Sequence, residues 1–140
     1  MGRIVKVSWP ETDYSATIEL EDNLNQELCD DLWNNLPFES VQEHGMVNPN
    51  IIYCWVPTVN FSKVGYAQLH SESPVGRVSY SQGTGNKVII KYGACTEDCP
   101  APVLGFVPEE HHETIKKVGR IIWDNYFHEK KIYITRFERG

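Results

Sequence analysis

Two residues place a titratable side chain at the end of a predicted strand: His44 and Glu21. His44 follows Phe38 at an even spacing in one extended segment, so the two side chains point to the same face. An imidazole on an interior face titrates near neutral pH and can donate or accept a proton. A carboxylate at a strand end, such as Glu21, can project into the mouth of a sheet. Both residues are therefore candidate acid/base groups.

Each candidate also has a purely structural interpretation. A histidine at a strand end is commonly a hydrogen-bonded structural residue. Glu21 comes just before a predicted helix, where a carboxylate is stabilised by the helix dipole. The residues alone leave both interpretations open.

Aromatic side chains form a second candidate group. Tyr53 and Trp55 alternate along one strand, and the opposite face of that strand carries Ile52, Cys54 and Val56. The aromatic pair is either a wall for a substrate ring or a face covered by a helix. Tyr80 and Tyr92 have the same ambiguity, with phenol groups that can donate protons.

Two cations stand out on neighbouring predicted strands. Lys91 follows an apolar run, and Arg77 lies on the strand before it. Cations on adjacent strands can clamp a dicarboxylate, which would let an acidic protein bind an anionic substrate. The alternative is that each cation lies on a solvated outer face.

The adjacent histidines His111 and His112 suggest a metal site. However, ligands three or four residues apart share a helix face, whereas adjacent side chains diverge by about 100°. No HExxH or GxSxG motif occurs, and the glycine-rich stretch 81–86 lacks the Lys-Ser/Thr ending of a phosphate loop. We predict no metal site and no serine-hydrolase site.

Composition limits the expected partners and compartment. The 140 residues include 13 basic and 19 acidic ones, for a formal net charge of -6, which disfavours nucleic acid and anionic membranes as partners. No run of about 18 apolar residues occurs, and the chain opens into strand-like sequence instead of a signal peptide. We therefore expect a cytoplasmic protein.

The cysteines are too few for a disulfide scaffold of this length. Cys29 and Cys54 lie in apolar patterns typical of a core. Cys95 and Cys99 share a Gly/Pro-rich segment, where a disulfide, a partial metal site or two free thiols are all open.

Strand patterns dominate the chain. The predicted strands cover residues 4–9, 14–21, 38–46, 51–57, 65–69, 77–80, 87–92 and 132–137. Turns are predicted at 47–50 and 60–63 and a hairpin loop at 81–86, while the proline-rich stretch 94–108 is predicted to be a long ordered loop.

Two amphipathic helices complete the pattern. Leucines recur every fourth residue from Leu24 to Leu36 and stop at Pro37, and a second helix begins at Pro108. About eight strands with two helices suit a small closed barrel, mostly β with helical caps. We predict a single domain over residues 1–140.

Several blocks of the sequence together resemble one family. They are Leu20-Glu21-Asp22, Leu36-Pro37-Phe38-Glu39-Ser40, Glu43-His44, Tyr53-Cys54-Trp55-Val56-Pro57, Pro74-Val75-Gly76-Arg77-Val78 and Lys91-Tyr92-Gly93-Ala94. In this order they resemble the bacterial cyclophilin-like proteins of the DUF3830 type and their relatives, the cucumopine or mikimopine synthases. The resemblance implies a cyclophilin-like barrel. The Phe-His-Arg stretch of true cyclophilins is missing, so prolyl isomerase activity is not expected.

The resemblance also implies a reaction. Opine synthases of this type join L-histidine to 2-oxoglutarate by a Pictet-Spengler condensation without a redox cofactor. Such chemistry needs an acid/base group near neutral pH, donors for the substrate carboxylates and walls that hold the ring. Read this way, Glu21 and His44 handle protons and Arg77 and Lys91 hold carboxylates. Tyr53, Trp55 and Tyr92 frame the rings.

Two other readings stay open. One is a non-catalytic module of the same fold that binds small molecules or oligomerises, and the other is a cyclic-amide hydrolase or its accessory subunit. Exposed edge strands or the second helix could form a homo-oligomer, and the sequence does not choose between them.

Overall fold

The strands and helices come from a computed structural model that describes residues 2–61, 65–82 and 85–140. The strands of this part are β1 (Ile4–Ser8), β2 (Ser15–Leu20), β3 (Phe38–Val41), β4 (Glu43–His44), β5 (Ile51–Trp55), β6 (Ala67–Leu69), β7 (Arg77–Ser81), β8 (Lys87–Lys91), β9 (Pro100–Phe106) and β10 (Ile134–Arg139). Helix α1 spans Gln26–Asn34, and a 3-10 turn (Glu109–His111) leads into helix α2, His112–Phe127.

All pairings among these strands are antiparallel. Their hydrogen-bonded order is β3-β10-β1-β2-β9-β7-β8-β5-β4, and β6 pairs with β9 off this path. The fold is thus mostly β with two helices, as the sequence predicts.

The two ends of this order, β3 and β4, are separated in the sequence by Gln42 alone. The backbone N–H of Gln42 donates to the Tyr133 carbonyl, just before β10, and its side-chain amide donates to the Tyr53 carbonyl in β5. The pairings of the described strands do not close into a ring. The closed barrel therefore stays a prediction.

One element corrects the sequence analysis. The stretch 94–108, predicted to be a loop, contains the seven-residue strand β9, which pairs with β2, β6 and β7. Pro100 and Pro102 pair with Leu69 and Ala67 of the short strand β6. Proline donates no backbone hydrogen bond, which is why this stretch is predicted to be a loop. Pro100 and Pro102 lie in the part of β9 that pairs with β6 alone among the described strands, so no second strand requires their missing N–H groups.

Both helices pack on the sheet through the apolar stripes read from the sequence. Helix α1 buries Leu28, Cys29 and Leu32, and α2 buries Ile115, Val118 and Ile122. These residues join one core cluster with the inward residues of the strands. No described helix has the length and apolar character needed to cross a membrane.

Two predicted turns fall partly outside the described residues. Residues 62–63 of the predicted turn at 60–63, and residues 83–84 of the predicted hairpin loop at 81–86, are not described. The flanking strands β7 and β8 do pair, with Ser81 opposite Lys87.

Candidate functional site

A cleft of about 630 Å³ opens on the outer face of β5 and β8. It is bounded by residues 45–48 after β4, by strand β6, and by residues 97–102 leading into β9. The wall is predominantly apolar, with a few polar side chains. A concave, mostly apolar cavity of this size is typical of small-molecule sites.

Strand alternation decides which side chains face the cleft. In β5, Ile52 and Cys54 enter the main core while Ile51 and Tyr53 line the cleft. In β8, Val88 and Ile90 are core residues, and the alternate positions carry Lys87, Ile89 and Lys91. The predicted division of β5 into an aliphatic core face and an aromatic face is therefore observed.

His70 lies in the cleft at the end of β6 and is only 7% exposed. Its ring nitrogens have no hydrogen-bond partner within the described part of the chain. Burial lowers the pKa of His70, a nearby Glu97 carboxylate opposes this, and the Lys91 charge adds to the lowering. The result is a buried imidazole that favours its neutral form and faces the cavity.

Glu97 also lines the cleft, and its position is fixed by a buried asparagine. The Asn48 side chain donates to a Glu97 carboxylate oxygen at 2.6 Å and accepts the Glu97 backbone N–H at 3.1 Å. The Ser71 N–H in turn donates to the Glu97 carbonyl at 3.1 Å, which ties the Glu97 segment to the turn that carries His70. A neutral imidazole and a carboxylate thus share one cavity.

Lys91 is buried beneath this turn and is 4% exposed. Its Nζ donates to the carbonyls of His70 at 2.6 Å and Ser73 at 2.5 Å. These bonds hold the turn that presents His70. The predicted role of Lys91 in holding a substrate carboxylate stays a prediction, and its observed contacts are to backbone oxygens.

Aromatic rings and a lysine form a cluster on the outer face of β5 and β8. The rings of Tyr53 and Trp55 meet edge to face with centroids 6.4 Å apart. The Lys87 ammonium lies 5.1 Å from each ring centroid. Tyr53 and Lys87 line the cleft, whereas Trp55 is half exposed beside it.

His44 lies in a buried cluster on the other side of the sheet, against α2. Its Nδ1 lies 2.7 Å from the Gly45 carbonyl and its Nε2 lies 2.5 Å from the Tyr92 hydroxyl. Because a carbonyl only accepts, Nδ1 carries the proton and Nε2 of the neutral ring accepts from Tyr92. Burial lowers the pKa of His44, the bond to Gly45 opposes this, and Arg120 adds to the lowering.

Glu21 and Arg77 meet in an ion pair. Arg77 Nη1 lies 2.6 Å from the Glu21 carboxylate and 3.2 Å from the Gly105 carbonyl, and Nε donates to Gln68 at 2.9 Å. The predicted base and the predicted carboxylate clamp are therefore partners of each other. Their functional roles stay predictions.

The structure divides the predicted site residues among separate places. These residues are Glu21, His44, Tyr53, Trp55, Arg77, Lys91 and Tyr92. Tyr53 alone among them belongs to the described lining of the cleft. His44 pairs with Tyr92, and Glu21 pairs with Arg77.

Four residues of the cleft were not predicted from the sequence: His70, Glu97, Asn48 and Lys87. His70 and Glu97 lie in irregular segments where no periodicity indicates a direction. Lys87 could have been found, because it alternates with Ile89 and Lys91 on the face of β8 opposite its aliphatic core residues.

The cysteines and His112 have defined surroundings in the described part of the chain. All four cysteines are free thiols, with Cys95 buried and Cys99 exposed. The His112 ring bonds the Val107 carbonyl at 2.8 Å, which is a structural contact. Within the described residues, no group of three or more His, Cys, Asp or Glu side chains is arranged to hold a metal ion.

Comparisons with known proteins support a related fold. No model of a protein family and no curated protein matches the chain. The structure of McbB in complex with tryptophan matches with a TM-score of 0.90 and 29% identity over 97% of this chain. The chain spans 44% of the length of McbB.

A second solved structure shows the fold alone. The hypothetical protein AF2241 from Archaeoglobus fulgidus matches with a TM-score of 0.64 and 11% identity, over 99% of this chain and 95% of its own. The chain thus has a β-rich fold that is also found in a tryptophan-binding protein. The resemblance to cucumopine synthases stays a prediction.

Proposed function

We propose that the protein catalyses a Pictet-Spengler-type condensation of an aromatic amino acid with a carbonyl compound in the cleft. The observation that carries the proposal is the likeness of almost the whole chain to McbB, whose structure contains tryptophan. Tryptophan joins an amine to a nucleophilic ring through a short carbon chain, which is the arrangement this cyclisation requires. The sequence resemblance to opine synthases points independently to the same reaction class.

The reaction sets the demands on the site. The neutral amine adds to the carbonyl carbon, and the carbinolamine loses water to give an iminium ion. A ring carbon then attacks the iminium carbon and forms the new C–C bond. Loss of the proton from that ring carbon restores aromaticity. One amine and one carbonyl compound thus give one cyclised product and one water.

We assign the proton transfers to two residues of the cleft, His70 and Glu97. His70 favours its neutral form, so it accepts the proton of the substrate ammonium and returns it to the carbinolamine oxygen. The Glu97 carboxylate, held by Asn48, stabilises the iminium charge and accepts the ring proton. Tyr53 supplies an aromatic wall for the substrate ring.

The particular substrates are proposed from the sequence. L-Histidine and 2-oxoglutarate are the pair implied by the opine-synthase resemblance, and an imidazole can replace an indole as the ring nucleophile. The McbB comparison adds L-tryptophan as a second amine to test. The acid/base assignment to Glu21 and His44 remains the competing proposal.

A product assay tests the reaction. L-Histidine or L-tryptophan is incubated with 2-oxoglutarate or acetaldehyde, and the water-loss adduct is followed by chiral chromatography with mass detection. We expect faster formation than without protein and an excess of one stereoisomer. Glu97→Gln should return the reaction to the background, whereas Glu113→Gln, an exposed carboxylate on α2, should leave it unchanged.

An unchanged rate and a racemic product in every substrate combination would end the proposal. Stabilisation of the protein by the amino acid without any product would instead assign the non-catalytic binding module.

A further inference from the structure

The cleft carries a sparse and specific set of charges. Among its described lining residues, Lys87 is the one lysine or arginine and Glu97 is the one carboxylate. The other lining side chains are apolar, together with the polar residues Asn48, Tyr53, His70, Tyr80, Ser81, Gln82 and Cys99. The two opposite charges therefore stand against a largely apolar background.

Lys87 is held by aromatic rings and not by a counterion. It begins β8 and pairs with Trp55 of β5 and Ser81 of β7. The nearby rings of Tyr53 and Trp55 hold its ammonium at the cleft. No carboxylate of the described chain lies within salt-bridge distance of Lys87.

Other cations near the cleft are already engaged. Lys91, on the same face of β8, donates to two backbone carbonyls, and Arg77 is paired with Glu21. In an acidic chain with a net charge of -6, a cation without a carboxylate partner at a cavity is a ready site for an anionic group of a ligand.

We propose that Lys87 binds the carboxylate of the amino acid substrate, so that the cleft selects aromatic α-amino acids over the corresponding decarboxylated amines. This inference rests on the proposed function. With the carboxylate at Lys87 and the ring against Tyr53, the substrate amine is directed into the cleft that holds His70 and Glu97. In this arrangement Lys87 determines the preference for amino acids over amines, while His70 and Glu97 carry out the proton transfers.

Isothermal titration calorimetry with two matched ligand pairs tests this assignment. Tryptophan is compared with tryptamine, and histidine with histamine, because each pair differs only by the carboxylate. We expect the wild-type protein to bind the acid of the productive pair about tenfold or more tightly than the amine, as a charged hydrogen bond provides. Lys87→Met should abolish this preference and Lys87→Arg should keep it.

Lys116→Met is the matched control, since it removes the same charge from an exposed position of α2 and should leave the preference unchanged. Circular dichroism of each variant verifies the fold. Equal binding of acid and amine by the wild type, binding of neither, or a preference that survives in Lys87→Met would overturn the assignment. A protein that selects the acid yet forms no product keeps the Lys87 assignment and loses the proposed reaction.

Discussion

Two buried histidines of the chain occupy opposite environments. The His44 ring uses both nitrogens in hydrogen bonds to Gly45 and Tyr92 and contacts Trp123 at 5.0 Å between ring centroids. The His70 ring faces the cleft without such bonds in the described chain. A satisfied imidazole contributes to the core, whereas an unsatisfied one at a cavity is free to exchange a proton with a ligand.

The two acid/base assignments make different predictions for single variants. We expect His70→Gln and Glu97→Gln to lower kcat by about 10²- to 10⁴-fold, the range of general acid/base catalysis, with the fold intact. Glu21→Gln should leave kcat nearly unchanged, because its carboxylate serves the ion pair with Arg77. Steady-state product formation with the productive substrate pair checks this.

The same measurement also tests the competing assignment. The competing assignment would be supported if Glu21→Gln and His44→Gln lost turnover while His70→Gln and Glu97→Gln stayed active. The acid/base groups would then be Glu21 and His44, as the sequence resemblance implies. Circular dichroism and urea unfolding would separate a catalytic loss in His44→Gln from a damaged core.

At the scale of elements, helix α2 approaches the sheet at a glycine. A Cβ added at Gly119 would overlap the Tyr92 ring, which is buried and hydrogen-bonded to His44. The Tyr126 hydroxyl, also on α2, accepts the His44 backbone N–H at 2.8 Å and donates to the Glu43 carboxylate at 2.6 Å. Close packing and these bonds together fix the helix against β4.

This contact predicts an unusual substitution effect. Alanine normally favours a helix interior over glycine by about 1 kcal/mol. We expect Gly119→Ala nevertheless to lower the free energy of unfolding by about 1–3 kcal/mol, because overpacking displaces the buried tyrosine. Urea denaturation followed by circular dichroism measures it. A stabilised Gly119→Ala would show that the helix does not rest on Tyr92.

A second prediction concerns the turn between β6 and β7. Lys91→Met removes the two bonds from Nζ to the carbonyls of His70 and Ser73. Since unpaired buried carbonyls are costly, we expect the free energy of unfolding to fall by about 1–3 kcal/mol. The exposed control Lys116→Met should change it by less than about 0.5 kcal/mol. Equal effects of the two variants in urea denaturation would contradict the observed contacts.

For the whole molecule, the buried histidines couple stability to pH. Burial lowers the pKa of His44 and of His70 from the ordinary histidine value of 6.5. Below pH 6.5 the unfolded chain therefore binds more protons than the folded chain. The stability that these two neutral histidines contribute is fully present above pH 6.5 and is lost as the pH falls below it. We expect Tm to decrease between pH 7 and pH 5.

Thermal unfolding of variants shows which histidines cause the decrease of Tm with falling pH. His44→Gln and His70→Gln should each flatten the decrease of Tm, whereas His128→Gln, at an exposed position after α2, should leave it unchanged. A slope that survives in the double variant would trace the acid sensitivity to other groups.

Many of the elements were predictable from local patterns. Alternation identified the strands and the two faces of β5, and the leucine repeat identified α1. These patterns are local because a strand or helix turns its side chains with a regular period. The strand β9 was not predicted, since proline normally interrupts a sheet. Pro100 and Pro102 lie where β9 pairs with β6 alone among the described strands, which depends on the tertiary arrangement.

The sequence by itself determined a β-rich chain with two amphipathic helices, an acidic balance and the aromatic face that carries Tyr53. Tertiary structure decided which polar residues meet. Asn48 and Glu97 are 49 positions apart in the chain, and they join His70 in one cleft. Tertiary structure also paired Glu21 with Arg77 and buried His44. Local periodicity specifies the direction of a side chain, but its partner depends on strand pairing and burial summed over the whole chain.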